Sequence, residues 1–313
     1  MCEVWTMGEL LVEIMRPRPG LDFSEPGPFV GPFPSGAPGI FADTVARLGH
    51  TCGIISGVGD DDFGRAILAR LARDGVNTQR VVVVPEKSTG VAFVTYFADG
   101  SRKYLFHWDG TPAVMADAPP AEALPPATYF HLMGCSLMAN QRFRQSVLTA
   151  VERFAGQGTK IAFDPNIRFE LLQSESIEAI VRPVLARASV LMPGERELKL
   201  LSGVDDLDGA ARAMFGRYPL ELIAVKRGRR GCTVLTPEKR ADVPAFAIQE
   251  VDPTGAGDCF DAGLLCGLLE GRPVEDCARW GAAAGALNAG AFGPMEGRIS
   301  RETIGQMLGG GAR

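Results

Sequence analysis

Near its C-terminal end the chain runs Asp252-Pro253-Thr254-Gly255-Ala256-Gly257-Asp258 straight into Cys259-Phe260-Asp261-Ala262-Gly263-Leu264-Leu265-Cys266-Gly267-Leu268-Leu269. Gly255, Ala256 and Gly257 allow the backbone to approach a ligand, because small residues leave little side chain in the way. The apolar stretch after them predicts a buried helix whose first turn starts at about Gly257. Unpaired N–H groups at a helix N-terminus, reinforced by its dipole, make an anion site. Asp258 stands beside that site, where a plain phosphate cradle would favour a base or a hydroxyl. An anion hole with an adjacent carboxylate suits removal of a hydroxyl proton while negative charge develops on a phosphoryl group. Read alone, the seven residues also fit a glycine-rich turn with an acid at a helix start.

The rest of the chain alternates apolar, β-branched runs with helical patterns. Gly53–Gly59 reads as a strand followed by a helix around Arg65 to Asp74. Lys160–Asp164, Val190–Met192 and Glu221–Lys226 read as further buried strands. Alternation at this spacing predicts an α/β fold with a mostly parallel sheet flanked by helices. Ligands of such sheets lie beyond the carboxyl ends of the strands, where Asp164, Glu197 and Gly228 follow strands. One segment breaks the rhythm. Val91–Phe97 and Ser101–Phe106, joined through Ala98-Asp99-Gly100, predict a β-hairpin and with it a small second sheet. The Pro/Gly-rich stretch from Pro17 to Pro38 reads as a loop with one more strand of that sheet. No internal repeat or interdomain linker interrupts residues 1–313, which read as one domain with inserted segments of about 15–35 and 88–110. The basic tail after Gly309-Gly310-Gly311 is expected to fray.

Composition removes several classes of function. A net charge of −5 with no Lys/Arg-rich tract argues against a nucleic-acid partner. No apolar run is long enough to span a bilayer, and Met1-Cys2-Glu3-Val4-Trp5 lacks the basic-then-apolar order of a signal peptide. The seven cysteines are scattered without a Cys-x-x-Cys pair, as in a cytoplasmic enzyme with reduced thiols. Three isolated histidines make a zinc site improbable.

Asp252–Asp258 resembles the second signature of the ribokinase-like (PfkB) carbohydrate kinases, Asp-Thr-x-Gly-Ala-Gly-Asp, and further ordered blocks support the likeness. Gly8–Glu13 is similar to that family's first strand, ending in an acid. Ser35-Gly36-Ala37-Pro38-Gly39-Ile40 with Ala46–Gly49 resembles the first signature, and Gly57–Gly64 with Asp74-Gly75-Val76 the next block. Asp164-Pro165-Asn166-Ile167-Arg168 is similar to the Asp-x-Asn-x-Arg run of the fructokinase, tagatose kinase and 2-keto-3-deoxygluconate kinase branches. Pro193–Glu197 stands at the Asn-x-x-Glu position, and Lys226-Arg227-Gly228 with Gly231-Cys232 resembles the nucleotide-binding strand and turn. No Gly-x-x-x-x-Gly-Lys P-loop is present, which sets aside a Walker-type ATPase.

The resemblance implies a Rossmann-like sheet with a small β-sheet lid formed by the inserted segments of about 15–35 and 88–110, Mg²⁺ with ATP as cofactor, and a homodimer formed through the lid. It implies Asp258 as the base and Gly255, Ala256 and Gly257 as the anion hole. Sugar contacts fall to Glu13, Gly36, Ala37, Tyr104, Arg168 and Asp258, and nucleotide contacts to Asn166, Lys226, Gly228, Gly231 and Asn288. Glu197 would orient Mg²⁺, through water or directly, and Asp252 would bind K⁺. Apart from the resemblance, Glu197 reads as a solvated helix charge, Arg168 and Asn166 as partners in a surface salt bridge, and the Ala/Gly-rich helix Ala282–Gly290 around Asn288 as simple packing.

Departures from the pattern lie on the sugar side. Ile40 replaces an Asn that bonds hydroxyls, Ser35 a glycine, Gly194 the Asn of Asn-x-x-Glu, and Glu13 the commoner Asp. Phe106-His107-Trp108 replaces Tyr-Tyr-Arg, which weakens recognition of a carboxylate. The expected activity is ATP-dependent phosphorylation of a primary hydroxyl on a ketose or keto-sugar acid. A nucleoside kinase of the same fold and a non-catalytic sugar sensor remain as alternatives.

Overall fold

The computed structural model describes residues 2–97, 101–124, 126–172 and 175–310. The turn expected at Ala98-Asp99-Gly100 and the tail from Gly311 onward lie outside the described residues; Gly309 and Gly310 close a helix, Arg301–Gly310.

Among the described residues, thirteen strands form two sheets. In chain order they are β1 (Val4–Met7), β2 (Leu11–Met15), β3 (Val30–Ser35), β4 (Cys52–Gly59), β5 (Asn77–Val84), β6 (Gly90–Tyr96), β7 (Arg102–His107), β8 (Tyr129–Met133), β9 (Lys160–Asp164), β10 (Ala188–Leu191), β11 (Leu222–Lys226), β12 (Cys232–Leu235) and β13 (Arg240–Val243). Nine of them make one sheet in the order β13-β12-β11-β10-β9-β8-β1-β4-β5. All its pairings are parallel except those of β12 with β11 and β13.

Alternation along each strand builds a core on both faces. Val4, Ile54, Ala162 and Ala224 point into one cluster, with Phe41, Leu264 and Leu265 from the helices Ala37–Arg47 and Ala256–Leu269. Their neighbours Trp5, Ile55, Phe163 and Val225 point into the other, with Phe143, Val147 and Phe154 of the helix Gln141–Gly156. Each fully buried side chain of this size contributes roughly 1.5–3 kcal/mol, so double-sided burial fixes the strand register. The chain leaves β1 toward β4 and β8 toward β9 on opposite sides, making a switch point between β1 and β8. The carboxyl ends of β1, β8, β9 and β11 lead to Glu9, Cys135, Asp164 and Lys226, where ligands of such sheets bind.

The other four strands form the sheet β3-β2-β6-β7. Its hairpin pairs Tyr96 with Arg102 and Val94 with Tyr104, as the alternation of the two runs predicts. Two expectations need correction. Gly8–Glu13 is not one strand: the chain leaves the large sheet after Met7 and enters the small one at Leu11, so Glu13 sits on a lid strand. The lid therefore starts before residue 15. The stretch Pro17 to Pro38 is irregular only until Val30; it supplies β3 and then, from Ala37, a helix with Pro38 in its first turn, where a missing N–H does no harm. The irregular part is held by fully buried Arg16, whose guanidinium donates to the carbonyls of Asp22, Glu25 and Pro28.

The helix Ala256–Leu269 packs closely on the helix Val274–Ala289. A Cβ at Gly281 would lie 2.7 Å from the Phe260 carbonyl oxygen, and one at Gly263 would lie 2.8 Å from that of Trp280. Only glycine permits that approach, and the approach sets the angle at which the first turn of Ala256–Leu269 faces the carboxyl ends of the strands.

Candidate active site

Two cavities meet at that first turn. The first, of about 230 Å³, lies between the carboxyl ends of the large sheet and the lid. Glu9, Asp164, Arg168 and Asp258 form its floor, and Glu13, Arg102 and Tyr104 come from the lid. It is smaller than the ~300–1,000 Å³ usual for drug-sized ligands and suits a compact polar molecule. The second, of about 330 Å³, is an apolar groove lined by Phe246, Ile248, Phe260, Ala282 and Ala286, with Gly228 and Gly231 at one side. Lys226, Pro253 and Gly257 line both.

At the seam Gly255 caps the helix with φ 75°, and no side chain bonds the first-turn amides. Ala256 N–H donates to the Pro253 carbonyl at 3.3 Å; the other N–H groups of this turn are left for a ligand, and the dipole adds to their pull on an anion. Asp258, in the same turn, is 8% exposed and lines the first cavity. Burial pushes its carboxyl up to about 7; the charge of Asp164 adds to this, while Lys226 and Arg168 oppose it. A base poised near neutrality both holds enough carboxylate and accepts a proton readily.

Lys226 donates to Asp164 Oδ2 at 2.7 Å and to both oxygens of Asp261 at 3.1 Å. Burial works against its ammonium, but Asp164 and then Asp261 outweigh it and hold the lysine well above its usual value. Asp261 is itself pushed far up by burial, against the pull of Lys226 and with Asp164 adding to the rise. Behind it His131, fully buried and stacked on Phe41 with ring centroids 3.7 Å apart, is pushed down to about 3 by burial and stays neutral.

On the sugar-facing side, Glu13 Oε1 accepts from Ser35 Oγ at 2.7 Å, while its buried Oε2 has no partner. Burial pushes this carboxyl up to about 7 despite the Ser35 bond. Ser35 thus has a role its glycine counterpart could not fill. Gly36, Ala37 and Tyr104 line the same cavity, and Ile40 presents methyl groups where an Asn would present an amide. Arg168 lies over the Tyr104 ring at 5.3 Å, and its guanidinium has no hydrogen-bond partner among the described residues. It is not in a surface salt bridge.

Glu197 stands at the edge of this cavity, its Oε1 accepting from Ile167 N–H and its Oε2 from Gly194 N–H, each at 2.7 Å. Burial and then Asp164 push it up, so it is no solvated helix charge. Among the described residues no group of three His, Cys, Asp or Glu could hold a metal. A Mg²⁺ here would have to bring phosphate and water as its main ligands, which this ion does readily, with Glu197 accepting from its water shell. The donor set fits that arrangement.

Two sequence assignments change. Asn288 does not reach the apolar groove. Its Nδ2 donates to the Thr254 and Pro294 carbonyls and its Oδ1 accepts from Gly297 N–H, so all its capacity goes into bracing the loop before the anion hole. Asn166 lines the first cavity, not the groove. It has left-handed backbone (φ 35°) and places Nδ2 3.5 Å from Asp258 Oδ1. Asp252, expected to hold K⁺, is 1% exposed and already engaged: Oδ1 accepts from Tyr96 O–H at 2.9 Å and Thr254 N–H at 3.0 Å, Oδ2 from Gly293 N–H at 3.0 Å. Oδ2 keeps a second lone pair beyond its bond to Gly293.

Sequence reasoning missed Glu9, Arg102 and Asp261. Glu9, 3% exposed, accepts from Ser136 Oγ at 2.6 Å and Cys135 Sγ at 3.2 Å. Its place just past the end of β1 is the signal that could have found it. Asp261 could have been found one helical turn after Asp258, on the same face. Nothing in the sequence marked Arg102.

A sequence profile described as pfkB family carbohydrate kinase matches residues 31–300. The chain belongs to the PfkB family of carbohydrate kinases. Among curated PfkB relatives, Fructokinase-1 of Oryza sativa subsp. japonica is 31% identical over 296 residues, covering 91% of each chain. An Escherichia coli structure provisionally assigned as a ribokinase II, in complex with ATP and Mg²⁺, is 37% identical with TM-score 0.92 and covers 99% of each chain. A double-mutant fructokinase of Vibrio cholerae O395, holding fructose, ADP and a potassium ion, is 26% identical with TM-score 0.83 over 98% of each chain. The protein is thus a sugar kinase of the PfkB/fructokinase type, a phosphotransferase. No helix among the described residues is long and apolar enough to cross a membrane.

Proposed function

We propose that the protein, acting as one kinase domain over residues 1–313, transfers the γ-phosphoryl group of ATP to a primary hydroxyl of a small ketose. The observation that carries this reading is the seam: a compact polar cavity and an apolar groove meet at Gly257 and Lys226, with Asp258 in the first turn of the helix between them.

The apolar groove takes adenosine, and the triphosphate runs past Gly228 and Gly231 toward Gly257. The sugar sits under the lid, one hydroxyl donating to the unpartnered Oε2 of Glu13. Asp258 takes the proton of the attacking hydroxyl as its oxygen bonds to the γ-phosphorus. The bond from that phosphorus to the β–γ bridging oxygen breaks, and ADP leaves with the electron pair. The amides of Gly255, Ala256 and Gly257 hold the three equatorial oxygens, where the charge spreads. Mg²⁺ bound to the phosphates would neutralise their charge, with Glu197 orienting its water. Lys226, held charged by Asp164 and Asp261, keeps positive charge beside the migrating group.

A second reading, a keto-sugar acid, is favoured by Arg168, whose unpaired guanidinium in the cavity suits a carboxylate. A nucleoside is less well served. Phe106 is stacked between Tyr104 and Trp108, with centroids 5.6 and 4.5 Å away, so its faces are already covered.

The test is ADP release from Mg·ATP across ketoses, aldoses, keto-sugar acids and nucleosides. The expected result is turnover with a ketose or a keto-sugar acid. Silence across the panel, with a sugar and ATP still binding by calorimetry, would replace the enzyme with a sensor.

A further inference from the structure

The lid touches more than the sugar. Tyr96, the last residue of β6, donates its hydroxyl proton to Asp252 Oδ1 at 2.9 Å and lies 3.2 Å from Thr254 Oγ1. Arg102, paired with Tyr96 across the hairpin, donates from Nη1 to the same Thr254 Oγ1 at 3.3 Å. Thr254 and Asp252 are 2% and 1% exposed while Tyr96 and Arg102 are half-buried, so these bonds tie the lid to a buried loop. Thr254 N–H donates back to Asp252, and the Thr254 carbonyl is held by Asn288. The next residue is Gly255, whose backbone opens the anion hole. The same small sheet carries Glu13 and Tyr104 into the sugar cavity, Glu13 lying opposite Ala92 on β6 and Tyr104 opposite Val94. One small sheet therefore lines the first cavity with some side chains and meets the loop before Gly255 with others.

We propose that Tyr96 and Arg102 are positioning residues that couple the seating of the lid on the sugar to the geometry of the anion hole, through Asp252 and Thr254. This rests on the kinase reading above. Tyr96 does not line the sugar cavity, so its effect falls on the phosphoryl-transfer step and not on sugar affinity.

Tyr96→Phe keeps the ring and removes the hydroxyl. It should lower kcat about ten- to hundredfold, the range for losing a hydrogen bond to a buried charged group, while KM for sugar and for ATP stay within about twofold. A merely structural role would not move a second readout, the affinity of the sugar·MgADP complex for aluminium fluoride, which mimics the transferring phosphoryl group. That affinity should fall in parallel with kcat, with MgADP binding unchanged. Thr254→Val, nearly isosteric, removes the shared hydroxyl and keeps the test decisive if Tyr96→Phe folds poorly. It should reproduce the same pattern, and Arg102→Met added to it should cost less than Arg102→Met alone. A Tyr96→Phe or Thr254→Val protein with kcat and fluoride affinity within about twofold of the unaltered protein would overturn the inference alone. Absence of sugar-dependent ADP release in the unaltered protein would overturn the kinase reading and the inference with it.

Discussion

Asp258→Asn should make the protein less active and more stable, and both effects can be sized. Burial raises this carboxyl from 3.8 to about 7. An acid with a raised folded-state pKa resists ionisation that the unfolded chain accepts freely, so folding stability falls as pH climbs from 3.8 to about 7. At 1.36 kcal/mol per pKa unit the cost is roughly 1–2 kcal/mol at about pH 5 and roughly 4 kcal/mol at about pH 8. These are upper values, because a buried site relaxes around a charge. Asparagine has nearly the same shape and never ionises, so the variant should gain that stability, more at the higher pH. Its amide can still meet Asn166 through the oxygen. Loss of the base should cut kcat about 10²–10⁴-fold, or about 2.7–5.4 kcal/mol of barrier. Urea unfolding of both proteins at the two pH values, beside ADP release with the best sugar, measures each quantity. A stability gain that does not grow with pH would refute the buried, raised carboxyl. A kcat loss below about tenfold would remove Asp258 as the base.

The same shift predicts that kcat/KM for the sugar rises with pH through an apparent pKa near 7, because only the carboxylate can accept the proton; the limb should vanish in the residual activity of Asp258→Asn. Lys226→Met leaves Asp164 and Asp261 facing each other in the interior. It should cost roughly 3–5 kcal/mol in urea unfolding at neutral pH, and adding Asp164→Asn to it should recover part of that loss. An undiminished deficit in the double variant would mean that lost packing, not charge, was responsible. Gly255→Ala should abolish turnover, because the new methyl would lie 2.3 Å from the Pro294 carbonyl oxygen on a backbone with φ +75°. Calorimetry should still detect ATP in its groove, and normal turnover would show that this turn has room to shift.

Much of the site was legible because it is written locally. The glycines before Asp258, the apolar run after it and the alternation of Val91–Phe97 with Ser101–Phe106 each depend on neighbours within a few residues. What failed did so for longer-range reasons. Gly8–Glu13 reads as one apolar run, and periodicity cannot say that the chain changes sheets between Met7 and Leu11. Asn288 lies on a helix that does line the groove, but whether its amide faces the nucleotide or the loop depends on where Thr254, Pro294 and Gly297 lie. The bond from Tyr96 to Asp252 was not legible either, because the two lie far apart in the chain and no motif marks Tyr96.

The sequence by itself determined the fold class, the small second sheet and the glycine turn that opens a buried helix beside Asp258, since strand period, glycine freedom and helix-end chemistry are short-range properties. Only the tertiary structure decided which acids share a cavity, which lysine stands between them and how far Asp258 is pushed toward neutrality. Those are sums over buried charges brought from Glu9, Asp164, Lys226 and Asp258, and such sums exist only once the carboxyl ends of four strands and one helix meet in a space that excludes water.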